Sequence, residues 1–318
     1  MDMLEKLFKL KEHDTNVKTE IVAGITTFLS MAYILAVNPS MLAAAGMDQG
    51  AIFTATAVSA AFATLLMGFL ANYPVALASG MGLNAYFAYT VCPMIVEGIV
   101  FVILSLFKFR ETLVNSIPKN LKYGISAGIG LFITIVGLKG AGIVIADQST
   151  LVTCGDVSKP EFVLAMLGLL VIGVMWHFNV KGAILWGILI TWVLGIGAQL
   201  IGWYQGTSLI PQFSLDNIIP PSLEPTFMKF DFSFMVQHVG SFIAVVFAFL
   251  FVDLFDTVGT LVGVADQGNL LDKDGKLPRV GRALTCDAVG TIAGSMLGTS
   301  TVTSYVESTA GVAAGGRT

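Results

Sequence analysis

The chain has 318 residues, of which 55% are apolar and only 12% charged, and its mean hydropathy is +0.81. An ordinary soluble domain is about 25% charged, so these charges would leave the surfaces of two soluble domains uncovered, and the composition excludes that reading. The net charge of −4 says nothing of orientation, because topology follows the placement of Lys and Arg.

In chain order, residues 1–20 are polar and charged. They read as a cytoplasmic N-terminal segment without the pattern of a cleavable signal peptide. A membrane span takes about 20 mostly apolar residues. Windows of that kind lie at about 21–41, 51–71, 75–91, 94–107, 123–145, 162–178, 183–203, 239–265, 283–297 and 300–316. The expected fold class is therefore an all-α polytopic membrane protein of about ten segments. With the N-terminus inside, the inner side takes Lys6, Lys9, Lys11, Lys18, Lys108, Arg110, Lys119 and Lys122. It also takes Lys181, Lys273, Lys276, Arg279, Arg282 and Arg317, whereas the outer loops hold Lys159 and Lys229. That asymmetry is what the positive-inside rule demands. Cys92, Cys154 and Cys286 are too scattered for a disulfide framework or a metal cluster.

Two of the windows look broken. The third carries Ser79-Gly-Met-Gly-Leu-Asn84, with two close glycines. The tenth carries Ser300-Thr-Val-Thr-Ser-Tyr305, which is β-prone, before a short half-helix from Ser308. Non-helical backbone at membrane depth is tolerated only inside protein or beside a cavity. Interrupted spans at matching places in two halves point to a transport site. The third and tenth spans are seven apart, an odd number, so a repeat of that length is inverted across the membrane. On this division 21–237 is the first repeat and 238–318 an incomplete second one holding spans eight to ten. The chain then reads as a fragment whose own uptake is absent or weak.

The chemistry concentrates on those spans. Asp253 and Asp256 sit in the apolar run Phe251-Val-Asp-Leu-Phe-Asp-Thr-Val-Gly259, three residues apart and on one helix face. Glu307 lies at the break of the tenth span. An acid at bilayer depth costs roughly 2.5 kcal/mol or more, and a chain keeps it to bind something or to move protons. The bland alternatives are a backbone cap for Asp256 or Glu307, a turn residue for Asn84, and plain packing for aromatic residues. Asp287, in the ninth span, is ambiguous. Asn84 offers a donor and an acceptor, and Phe87, Phe255 and Tyr305 offer rings for stacking. Carboxylates, a carboxamide and aromatic rings fit a flat, neutral, N–H-rich heterocycle, and the lack of nearby Lys or Arg argues against sulfate or a dicarboxylate.

At these residues the chain resembles the AzgA-like purine permeases, relatives of the xanthine/uracil permeases. Asn84 in Gly80-Met-Gly-Leu-Asn-Ala-Tyr-Phe, Asp253 and Asp256 in Asp-Leu-Phe-Asp-Thr-Val-Gly-Thr, and Glu307 in Thr303-Ser-Tyr-Val-Glu-Ser-Thr-Ala-Gly-Val carry the likeness. Thr26 to Pro39 adds the first span. The resemblance implies fourteen segments in a seven-plus-seven inverted repeat, divided into core and gate domains. It implies proton-coupled uptake of hypoxanthine, guanine or adenine across the cytoplasmic membrane. Asn84, Asp253, Glu307, Tyr305, Phe87 and Phe255 would bind substrate, and Asp253 and Asp256 would handle the proton. The chain departs from its relatives in a shorter join at 90–97 and in the four segments that would follow Thr318. No cofactor beyond the coupling proton, no enzymatic activity and no nucleic-acid partner are expected, whereas membrane lipid and a homodimer are. Rival functions are carriage of uracil, xanthine or an anion on the same fold, a channel, and an intramembrane aspartyl protease. The last needs two acids about 3 Å apart from facing elements, and Asp253 and Asp256 share one helix.

Overall fold

A computed structural model describes residues 2–43, 46–80, 119–178, 180, 183–206, 208–210, 219–229, 239–273 and 276–318. The expected sites Asn84 and Phe87, the fourth span and the join at 90–97 lie outside the described residues. The chain divides into two compact units, one of Met1–Ile129 with Pro220–Thr318, the other of Gly130–Ile219.

In the first unit a short helix, α1 (Asp2–Phe8), precedes α2 (Val17–Met31), which starts where the Asn16 side chain accepts from the Thr19 N–H at 3.0 Å. The first span is not one helix. It turns at Ala32–Tyr33 and resumes as α3 (Ile34–Ala43). The turn is tightened by bonds from Leu35 N to Ala32 O (3.1 Å) and from Ala36 N to Tyr33 O (3.0 Å). Asp48 caps α4 (Gln49–Leu66), which runs on through a π-helical turn, Met67–Ala71. The third span opens as a strand, β1 (Leu77–Ser79).

The second unit holds the second half of α5 (Lys119–Gly140), the hairpin β2 (Val144–Asp147) and β3 (Leu151–Cys154), then α6 (Pro160–His177) and α7 (Ala183–Leu200). Pro160 opens α6, where a missing N–H costs nothing. Asp147 closes the hairpin, accepting from the backbone and hydroxyls of Ser149 and Thr150. Those donors, Ser149's hydroxyl foremost, hold its carboxyl well below the usual carboxylate range.

The first unit is completed by α8 (Val239–Gln267), α9 (Val280–Leu297), β4 (Val302–Ser304) and α10 (Ser308–Ala313). Strands β1 and β4 pair antiparallel, Leu77 opposite Ser304 and Ser79 opposite Val302. Gly80 N to Thr301 O (2.8 Å) and Tyr305 N to Ala76 O (2.9 Å) extend the ladder. A two-stranded ribbon leaves two outer edges unpaired, which an apolar interior does not tolerate. Threonines on the flanking helices satisfy them. Thr64 of α4 accepts from Leu77 N (3.0 Å) and donates to Leu77 O (3.2 Å). Thr291 of α9 accepts from Val302 N (3.3 Å) and donates to Val302 O (3.0 Å).

The exterior of the spans is apolar, and the interior mixes apolar packing with buried polar side chains such as Asn38, Thr56, Asp253 and Thr257. On α2 the buried side is Ala23, Thr27, Ser30 and Met31, and the exposed side is Ile21, Val22, Ile25 and Phe28. Val17–Ala43, Gln49–Ala71 and Pro160–His177 are long and apolar enough to cross a membrane. Close approach of the elements rests on glycine at one place in particular. A Cβ on Gly311 would stand 2.0 Å from Thr27 Oγ1 and 2.7 Å from Ala23 O, where α10 meets α2. Gly311→Ala is thus expected to destabilise the protein by about 1–3 kcal/mol through overpacking. The readout is the melting temperature in detergent, and an unchanged value would mean that α10 does not pack this tightly on α2.

Candidate functional site

The site is built where the β1–β4 ribbon meets α8. From α8, Asp253 is fully buried and Asp256 partly so. One turn on, the Thr257 hydroxyl donates to Asp287 Oδ1 at 2.8 Å and lies 2.9 Å from the Thr303 hydroxyl. Three elements, α8, α9 and β4, are thereby joined by one buried polar chain. Asp287, ambiguous in the sequence, is fully buried within it. Asp256 lies within electrostatic reach of both Asp287 and Glu307.

Glu307 occupies the N-cap position of α10, yet its side chain makes no capping bond. It turns back to accept a hydrogen bond from the Tyr33 hydroxyl, at the interruption of the first span. Met31 and Ile34, on either side of that interruption, pack with Ala76, Ala78 and Tyr305. Tyr305 is buried, and its hydroxyl donates to the Ser79 carbonyl. Its ring is thus held in the packing between the ribbon and the first span. Phe255 is half-buried on α8, about 200° around the helix from Asp253 at about 100° per residue.

A second polar cluster lies behind the ribbon. Asn38 Nδ2 donates to Thr56 (2.6 Å) and Thr299 (2.8 Å), and Thr299 lies 2.8 Å from the Ser79 hydroxyl. The hydroxyls of Ser300, Thr301 and Ser304 are buried with no hydrogen-bond partner among the described residues. Neither Asp256 nor Glu307 makes an ion pair among the described residues. No three of His, Cys, Asp and Glu gather to hold a metal ion there either. The arrangement offers acceptors at the junction of two non-helical segments, which suits a ligand that brings its own N–H donors.

Tyr33 is a functional candidate that sequence reasoning passed over, and Asp287 is one that it left ambiguous. For Tyr33 the signal was slight, a single phenol among small residues in Ser30-Met-Ala-Tyr-Ile34. For Asp287 the signal was an acid in an otherwise apolar ninth span.

An apolar-faced helical bundle with broken backbone and acids at its centre defines a membrane transporter. A solved structure shares the fold. The transmembrane domain of a cyanobacterial bicarbonate transporter, BicA, superposes with a TM-score of 0.59 at 14% sequence identity, covering 95% of this chain and 78% of that one. Residues 18–318 match the family model Xan_ur_permease, whose description is "Permease family", and the chain belongs to that family. Among its relatives, the guanine/hypoxanthine permease PbuO of Bacillus subtilis is 43% identical over 98% of this chain and 73% of its own length. The adenine permease AdeP of Escherichia coli is 41% identical over 99% of this chain and 71% of its own length.

Proposed function

We propose that this permease carries purine nucleobases, with hypoxanthine, guanine and adenine as the candidate substrates, into the cell across the cytoplasmic membrane by proton symport. The observation that carries the reading is Glu307, an acceptor aimed back into the protein at the break of the tenth span and held by Tyr33. A carboxylate there takes ring N–H donors, and Asn84 reads a neighbouring carbonyl or ring nitrogen. Of the expected aromatic contacts, Tyr305 lies beside Glu307 in the chain, Phe255 stands on another face of α8 from Asp253, and Phe87 keeps its expected stacking role. Asp253 and Asp256 take up and release the coupled proton. The names of the relatives PbuO and AdeP support the purine class.

Two further points belong to this reading. The seven-plus-seven inverted repeat is supported by Thr64 and Thr291. Each stands on the helix before a broken segment, and each bonds both backbone groups of one strand residue in the same way. A cytoplasmic N-terminus is supported by the cations and by contacts among the segments they mark as inner. Asn72 donates to the Phe8 carbonyl (3.1 Å), and Arg279 stacks on Tyr73 at 5.4 Å.

The test is uptake of labelled hypoxanthine, guanine and adenine by cells expressing the protein at full length, with and without a proton uncoupler. Saturable uptake that the uncoupler abolishes is expected. Uptake displaced by uracil or xanthine but not by these purines would overturn the substrate class, and uptake indifferent to the uncoupler would overturn the coupling.

A further inference from the structure

The first span carries none of the expected site residues, yet it reaches the site. Its helix is interrupted at one place, Ala32–Tyr33, between α2 and α3. The side chains on either side, Met31 and Ile34, are 7% and 2% exposed and grip the ribbon through Ala76, Ala78 and Tyr305. The interruption is therefore anchored, and it presents the Tyr33 phenol to the carboxylate of Glu307. Glu307 leaves its own helix start uncapped in order to accept that bond. A carboxylate has two oxygens and about four lone-pair sites. The Tyr33 hydroxyl occupies one oxygen, Oε1, and so holds the side chain in one rotamer while leaving the acceptor capacity of the carboxylate unfilled.

We propose that Tyr33 is a positioning residue of the transport site. It orients the Glu307 carboxylate for the nucleobase and links the first span to whether Glu307 is engaged. The inference rests on the reading of Glu307 as a substrate ligand. A phenol is suited to the task because it donates to a carboxylate and accepts from its protonated form. The bond can therefore survive a change in the charge of Glu307 by reversing its direction. A purely structural tyrosine would leave no trace of Glu307 in its mutational effect, and that difference is measurable.

The experiment is a double-mutant cycle on binding of labelled hypoxanthine to membranes containing the protein. Tyr33→Phe removes one oxygen and keeps the ring, so packing against the first span is retained. Tyr33→Phe is expected to weaken binding about 10-fold, the loss of a charge-assisted hydrogen bond, and to change the pH profile of binding. In a Glu307→Gln background the same substitution should change affinity by less than about 3-fold, because the bond that an amide oxygen still accepts from Tyr33 is no longer charge-assisted and there is no carboxylate left to orient. An equal loss from Tyr33→Phe in both backgrounds would overturn the proposal, since Tyr33 would then act without Glu307. So would Tyr33→Phe binding as the parent does, while Glu307→Gln is impaired. Binding unchanged by Glu307→Gln alone is a different failure. It removes Glu307 from the site, and the substrate-site reading falls with it. The melting temperature of Tyr33→Phe should match the parent, and a large drop would assign the tyrosine to the fold.

Discussion

Asp253→Asn is expected to abolish accumulation of purine against its gradient while leaving equilibrium binding within about 3-fold of the parent. The reason lies in where the side chain sits. Asp253 is fully buried on α8, and a turn later the same face carries Thr257, tied to Asp287 and Thr303. Holding a charge at that depth costs several kcal/mol, and taking up a proton removes the cost. A residue that pays in one state and not in the other is suited to couple proton movement to a change of access. The amide has the shape of the protonated acid and cannot cycle. The discriminating measurement is the ratio of internal to external hypoxanthine at steady state. A variant that still concentrates substrate, and loses it on adding an uncoupler, would transfer the role to Asp256.

The second large effect is that of Glu307→Gln. One side of the group keeps an oxygen that accepts from Tyr33, and the other becomes an NH2 that faces ring N–H groups as a second donor. Both the charge and the acceptor are lost where the ligand needs them. Binding should weaken by about 1.5–3 kcal/mol, which is about 10- to 150-fold. The protein should remain folded, because the side chain does not cap α10. Direct titration of hypoxanthine binding decides it, and an unchanged dissociation constant would exclude Glu307 from the site.

Much of this was legible in the residues, for physical reasons that differ by element. The windows at 51–71, 162–178 and 239–265 became α4 with its π-helical extension, α6 and α8 because a long apolar run in lipid has one way to satisfy its backbone. The tenth span could be read as broken because Thr301, Val302, Thr303 and Tyr305 favour extended chain, and β4 lies there. The turn at Ala32–Tyr33 was not legible. Apolarity is continuous through it, and what holds it is packing against residues 76–78 and 305. The same limit hid Thr64 and Thr291. A threonine in a span bonds its own helix or another element equally well, and only the position of the partner strand decides.

The ribbon of β1 and β4 also sets a schedule for assembly. The Tyr305–Ser79 bond joins residues 226 apart. At about 5–20 residues per second the ribosome takes roughly 11–45 s to cover that stretch. Throughout that interval β4, the strand that Leu77 to Ser79 pairs with, has not been made, while Thr64 is already present to bond Leu77. The third segment therefore completes its backbone bonding only when the tenth has entered. High contact order slows folding generally, and here it makes the arrival of the tenth segment the moment at which the ribbon closes. Mutations that weaken β4 or Thr291 should be felt as premature degradation of chains whose N-terminal spans are intact in sequence.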